Sequence, residues 1–265
     1  MTAEVIAVAN HKGGVGKSFT AVNIAAGLAR GGWRTLLVDC DPQANSTSMF
    51  DPEDDVEFDL YDLIHGDTPL EKVIRPTRLE YLHLLPSTLA VAQLDQQLVM
   101  MHRREYQLRM ALEPVLANYD AVVLDLSPNL GQLVITALNA ANSLVIPTDA
   151  TKWGRRGVAM FLEWAQALRD AQVMTAELLG VVLTKYEPQT LVSRQTLNEL
   201  QADHIPLFAA VIPKRVAAER MVNDRLVLGD DDADPDLSQA YAALTVEVMH
   251  HVQTAHTRRG KHHRG

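Results

Sequence analysis

The sequence predicts an α/β fold: a doubly wound, mostly parallel sheet with helices on both faces. Three observations predict it. Short apolar runs of strand length alternate with stretches of helical periodicity along nearly the whole chain. Most of these runs are continuously apolar, as strands covered on both faces are. Lys12, Asp39, Asp41, Asp125 and Thr184 all fall at or just past the carboxyl ends of such runs, where open α/β sheets bind ligands.

Taken in order, residues 4–9 form the first strand and residues 10–18, Asn-His-Lys-Gly-Gly-Val-Gly-Lys-Ser, a glycine-rich loop. A helix follows with Ala21, Ile24, Ala25 and Leu28 on one face, ended by Gly31-Gly32. Residues 35–39 are a buried strand, and residues 50–59 an acidic surface loop. Helical stretches around 60–74 and 89–117 flank a short strand at 82–85. Residues 121–125 form the next strand, followed by a helix through about Asn142 and a strand at 143–147. Beyond these come a helix at 155–171, a strand at 178–184, a helix at 190–201 and a strand at 208–212. Asp234-Pro235 supplies a cap and first turn for a last helix carrying Leu237, Tyr241, Leu244 and Val248. The reading is one domain over 1–253 and a basic tail, 254–265, whose lack of apolar periodicity predicts disorder.

Composition narrows the class. With 265 residues and 47% apolar content the chain can bury a large core. No apolar run approaches the roughly 20 residues of a membrane span. The first strand begins at once, so no signal peptide is expected. The lone Cys40 excludes a disulfide framework and a thiolate cluster, and the expectation is a cytoplasmic protein. A net charge of −9 excludes a surface coated in positive potential. Acid gathers at 51–59 and 229–236, while Arg258, Arg259, Lys261 and Arg264 make the tail basic. Any nucleic-acid contact must therefore use a local patch.

Strand, glycine loop and helix are the context of a phosphate-binding loop. Glycines at 13, 14 and 16 let successive N–H groups point inward, and the helix N-terminus adds partial positive charge. Lys17 is placed to reach β- and γ-phosphates and Ser18 to ligate Mg²⁺. The common pattern G-x-x-x-x-G-K-[ST] fails, because His11 stands at its first glycine and a second lysine, Lys12, follows. Leu124-Asp125 ends an apolar run, as a metal-binding aspartate of such proteins does. The acid pair Asp39 and Asp41, 24 residues after Lys17 at its second member, reads by itself as a helix cap and turn, with catalysis as the alternative.

The variant K-G-G-x-G-K-[ST] resembles the signature of the ParA/MinD family of deviant Walker A P-loop ATPases. Val38-Asp-Cys-Asp-Pro-Gln-Ala-Asn45 is similar to that family's D-x-D-P-Q-x-N, and Val211-Ile-Pro-Lys214 to its V-I-P-[RK] near the adenine. The resemblance runs from residue 4 to about 252 and is strongest to short, Soj-like members, because three residues before the first strand leave no space for an N-terminal helix-turn-helix domain. It implies nucleotide contacts from Lys12, Gly13, Gly14, Val15, Gly16, Lys17, Ser18, Phe19, Thr184 and Pro213. It implies catalysis by Lys12, Lys17 and Asp41 and Mg²⁺ binding by Ser18, Asp41 and Asp125. Asp41 would orient the attacking water, and Lys12 would cross to a partner's phosphates like an arginine finger.

The same resemblance implies slow ATP hydrolysis stimulated by a ParB-like or other adaptor, with ATP and Mg²⁺ as cofactors and a homodimer when ATP is bound. It implies non-specific duplex DNA as a partner, nucleoid association, no membrane contact, and partition of plasmid, chromosome or other cargo. The candidate DNA contacts are Lys185, Arg194, Lys214, Arg215, Arg220 and Arg225, for which plain solvated surface is the alternative. Four departures stand out: Phe19 for a usual threonine, Ser127 in the turn after Asp125, Gln189 for an arginine, and acid at 229–236. Thr184-Lys-Tyr-Glu187 is similar to the guanine motif T-K-x-D, but glutamate spoils the bidentate fit, so adenine is expected. A MinD-like, membrane-associated cell-division or positioning ATPase is the alternative function, disfavoured because the chain's end has no apolar face.

Overall fold

The computed structural model describes residues 3–50, 56–66 and 68–262, with side chains through Thr254. Strand β1 (Glu4–Val8) leads through the glycine loop to α1 (Lys17–Arg30) and β2 (Thr35–Cys40). Short helices α2 (Asn45–Ser48), α3 (Leu60–His65) and α4 (Leu70–Val73) precede β3 (Arg75–Pro76) and β4 (Leu82–Leu85). Next come α5 (Leu94–Met100), α6 (Gln107–Leu112), β5 (Ala121–Leu126), α7 (Gln132–Ala140) and β6 (Ser143–Asp149). The chain ends with α8 (Lys152–Asp170), β7 (Glu177–Tyr186), α9 (Leu191–Ala202), β8 (Leu207–Pro213), α10 (Ala217–Asn223) and α11 (Pro235–His262).

The strands form one sheet in the order β3-β4-β2-β5-β1-β6-β7-β8. All pairings are parallel except β3 with β4 at one edge. The core lies on both faces, and the pleat sorts residues between them. Val5, Ala7, Leu36, Val38, Val122 and Leu124 face one layer. Ile6, Val8, Leu37, Ala121, Val123 and Val145 face the other, under α1 and α11. Gly27 lets those two helices meet, since a Cβ there would run into the Thr245 side chain. With β1 between β5 and β6, the glycine loop opens at the middle of the sheet's carboxyl edge.

The predicted α/β class and strand order along the chain are observed, with instructive differences. The helical stretch at 89–117 is broken into α5, α6 and three 3₁₀ turns. Met101 turns extended after α5, Arg103 takes a left-handed φ of 52° before the next turn, and Pro114 opens the last one. The edge strand β3 is two residues long and contains proline, too little to leave a periodic signal. Helix α10 was also absent from the sequence pattern; only Met221 of its seven residues is buried. The tail expected to be disordered from residue 254 instead continues α11 to His262. Elongating a packed helix avoids the nucleation penalty, so apolar periodicity is not needed there. Residues 51–55 of the acidic loop and 263–265 of the tail lie outside the described residues. Among the described residues, no helix is long and apolar enough to cross a membrane.

Candidate functional site

The loop between β1 and α1 is shaped by two left-handed glycines, Gly14 at φ 72° and Gly16 at φ 81°. Nothing lies within 4 Å of a Cβ built at either, so backbone conformation rather than space demands glycine. Gly13 shows neither constraint. Asn10 clamps the entry, donating to Pro147 O at 2.8 Å and accepting from Lys12 N at 3.0 Å. Below the loop, the buried Thr184 hydroxyl donates to Val15 O at 2.8 Å. The structure thus makes Thr184 a support of the loop floor. Helix α1 starts with no side-chain cap and no acid in its first turn, leaving its N–H groups open to an anion.

Lys17 is buried, its Nζ donating to Lys12 O at 3.1 Å. Burial lowers its pKa, and the nearby Asp125 and Asp41 carboxylates oppose that shift. Asp39 and Asp125 are fully buried register partners on β2 and β5. Burial pushes both above the usual carboxylate range, and repulsion by Asp125 raises Asp39 further. The Ser46 and Ser18 hydroxyls and the Lys17 charge pull Asp125 partly back. Asp39 is saturated, accepting from Asp41 N at 3.0 Å and from Thr47 N and Oγ1 at 2.8 Å each. Asp125 takes Ser46 Oγ on Oδ2 at 2.7 Å, whereas its buried Oδ1 has no partner. An orphaned carboxylate oxygen beside Ser18 and Asp41 suits a hydrated divalent cation, and the residues present fit Mg²⁺. When bound, Mg²⁺ would neutralise phosphate charge there.

Two adjoining cavities complete the site. One of about 320 Å³ is lined by Gly13, Lys17, Ser18, Asp41, Gln43 and Asn45 among others. The second, about 740 Å³, shares Gly14, Gly16, Phe19 and Val222 with it and adds Pro213, Tyr241 and Lys185. The first opens at the glycine loop beside Lys17, Ser18 and Asp41, and the second runs along Ile212, Pro213 and Leu237 with Lys185, Glu187 and Lys214 at its border. Phe19 meets Tyr241 edge to face, centroids 5.4 Å apart, at the junction.

Several of the basic residues named as DNA candidates have partners within the chain. Lys185 has a left-handed φ of 52° and donates to Gly14 O at 2.6 Å, which places it on the loop rim in the second cavity. Lys214 pairs with Glu187 at 3.1 Å, Arg215 with Asp236, and Arg220 donates to Asp232 O at 3.2 Å. Three of the six candidate DNA contacts are therefore already engaged by acidic residues or their main chain. Arg194 on α9 and Arg225 after α10 are exposed. Lys12 is turned onto its own protomer, its Nζ 2.8 and 2.7 Å from the Asp149 carboxylate oxygens and 3.4 Å from Thr151 Oγ1. Sequence reasoning missed Asp149, Thr151 and Ser46. Asp149 stands two residues past a predicted strand end, so the rule that found Asp125 applied to it equally.

A parallel sheet, a left-handed glycine loop and a buried lysine among aspartates define a P-loop nucleoside triphosphatase. The family profile AAA_31, described as an AAA domain, matches residues 3–178. The chain is 37% identical to the chromosome-partitioning ATPase Soj of Thermus thermophilus, over 94% of this chain and 97% of that one. It is 33% identical to the chromosome partitioning protein ParA of Myxococcus xanthus, over 92% and 87%. A Mycobacterium smegmatis structure named cobyrinic acid a,c-diamide synthase, with bound ADP and magnesium, superposes with TM-score 0.82 at 29% identity, covering 96% of each chain. The chain belongs to the ParA/Soj family of partition ATPases.

Proposed function

We propose that this chain hydrolyses ATP slowly with Mg²⁺, dimerises around ATP, and uses that cycle to partition DNA or position another cargo. The observation that carries the reading is the cluster of Lys17, Ser18, Asp41 and the half-orphaned Asp125 around the left-handed glycine loop. Lys17 and the loop N–H groups would bind the phosphates, Ser18, Asp41 and Asp125 would hold Mg²⁺, which neutralises phosphate charge, and Asp41 would orient the attacking water. Lys12 supplies its charge to the partner's phosphates, which makes ATP the link between protomers and hydrolysis its release. A ParB-like or other adaptor stimulates turnover, and non-specific duplex DNA binds the dimer.

Support for adenine comes from the Ile212, Pro213 and Leu237 wall of the second cavity and from glutamate at position 187. The deciding experiment measures phosphate release with Mg²⁺-ATP for wild type, Lys17→Ala and Asp41→Ala, with and without duplex DNA. Slow release that disappears in both variants supports the reading, and Asp41→Ala is expected to bind ATP and stay dimeric. ATP consumption only in the presence of a carboxylic acid and an amine donor would point to a ligase instead.

A further inference from the structure

We propose that Asp149 is a positioning residue for Lys12: it holds the lysine in its own protomer and sets how much ATP is needed before Lys12 can serve a second copy of the chain. The proposal rests on the ATP-linked dimer described above.

The geometry is specific. Both Asp149 oxygens lie within 2.8 Å of Lys12 Nζ, and Thr151 Oγ1 adds a contact at 3.4 Å. Thr151 also donates to Asp149 Oδ1 at 2.9 Å, which aims the carboxylate. The start of α8 closes over it, since a Cβ at Gly154 would strike the Asp149 carbonyl and carboxylate. The Lys12 and Asp149 side chains are 28% and 18% exposed, so solvent screens the pair incompletely. Asp149 caps nothing: Thr151 accepts from Gly154 N at 3.0 Å and caps α8 itself. The carboxylate's side-chain partners are therefore Lys12 and the threonine that orients it.

The pair is also wired to the phosphate loop. Lys12 N is held by Asn10 and Lys12 O receives Lys17 Nζ at 3.1 Å. The Lys12 main chain is fixed on both sides, and its side chain alone can swing. A phosphate that draws Lys17 onto itself takes away one of the two bonds that fix the Lys12 peptide. Lys12 must then exchange a carboxylate in cis for a phosphate in trans, a trade that favours the dimer only when the trans charge is large. Asp149 thereby raises the ATP concentration at which dimers form.

The test follows dimer formation by light scattering over an ATP titration with Mg²⁺, for wild type, Asp149→Asn, Lys12→Gln and the double variant. Asp149→Asn is expected to dimerise at about fivefold lower ATP, the equivalent of a partly exposed ion pair. Asp149→Ser must shift the threshold the same way, and Asp149→Glu must return it toward wild type. In the Lys12→Gln background the Asp149 change must do nothing. An unchanged or higher threshold for both Asp149→Asn and Asp149→Ser overturns the proposal, and so does a gain that persists without Lys12. A wild-type chain that stays monomeric at every ATP concentration overturns the dimer reading itself, and the threshold role falls with it.

Discussion

Asp39 and Asp125 are register partners at the carboxyl ends of β2 and β5, both fully buried, yet only Asp125 keeps an oxygen without a partner. The division of labour follows. Asp39 ties α2 to the sheet through Thr47, whereas Asp125 has capacity left for a ligand. Asp125→Asn is expected to fold and to abolish the effect of Mg²⁺ on nucleotide affinity. Isothermal titration with and without Mg²⁺ reads this directly. A variant whose affinity still rises with Mg²⁺ as in wild type would remove Asp125 from the metal site.

The same pair makes stability depend on pH. Both folded-state pKa values are raised by burial, so between the ordinary carboxylate range and neutrality the folded chain binds more protons than the unfolded one. Stability contributed by these protonated carboxyls is full below the unfolded value and is lost as pH rises through the folded values. The melting temperature of the ligand-free chain is therefore expected to fall from pH 5 toward pH 8. Asp39→Asn flattens that slope, and saturating Mg²⁺-nucleotide flattens it too by compensating Asp125. Melting curves at several pH values check both.

At the glycines, the structure separates two reasons for the same residue. Gly14→Ala and Gly16→Ala must place a Cβ in the left-handed region, costing about 1–2 kcal/mol each with no clash to relieve. Gly27→Ala instead collides with Thr245, costing about 1–3 kcal/mol. Urea unfolding of Gly27→Ala with and without Thr245→Ala tests the distinction, since removing Oγ1 and the γ-methyl together recovers part of the loss. No such second-site change can rescue Gly16→Ala.

Phe19 stands between the two cavities against Tyr241, where the family resemblance leads one to expect threonine. We predict that its ring contacts the base or ribose. Phe19→Leu is expected to weaken ATP binding by about fivefold, within the range of one aromatic contact, while leaving inorganic tripolyphosphate binding unchanged. Competition against a fluorescent nucleotide measures both. Equal losses for the two ligands would show that Phe19 acts on the loop and not on the base.

Much of this site was legible because its chemistry is local. Residues 10–18 and 38–45 carry their geometry in consecutive letters, and strand ends such as Asp125 are marked by the apolar runs before them. What was not legible depends on residues far apart in sequence. Lys12 and Asp149 are 137 positions apart, and Lys185 and Gly14 are 171 apart. A lysine reads as a surface cation until its partner is known, and nothing near Lys185 in the sequence points to Gly14. The break at Arg103 and the continuation of α11 to His262 escaped for another reason, since helix ends depend on local backbone choices that periodicity does not record.

Paired charges matter most for the proposed DNA contact. Lys214 and Arg215 are neutralised by Glu187 and Asp236, so each protomer presents less positive potential than its sequence suggests. Arg194 and Arg225 remain as exposed cations on α9 and after α10. We predict that Arg194→Glu and Arg225→Glu together weaken duplex binding of the ATP-bound protein equally on all sequences and leave ATP hydrolysis intact. Each lost phosphate contact should flatten the slope of log K against log salt by about 0.9, so the double variant changes it by roughly 2 per protomer. Glu187→Gln with Asp236→Asn is expected to act in the opposite direction, freeing Lys214 and Arg215 and steepening the slope. The basic end of the chain, with Arg258, Arg259, Lys261 and Arg264, is the competing contact. Filter binding over a salt series, with the same variants in a chain truncated after Gln253, separates them. If truncation alone removes binding and the Arg194/Arg225 variant retains it, the contact is the tail.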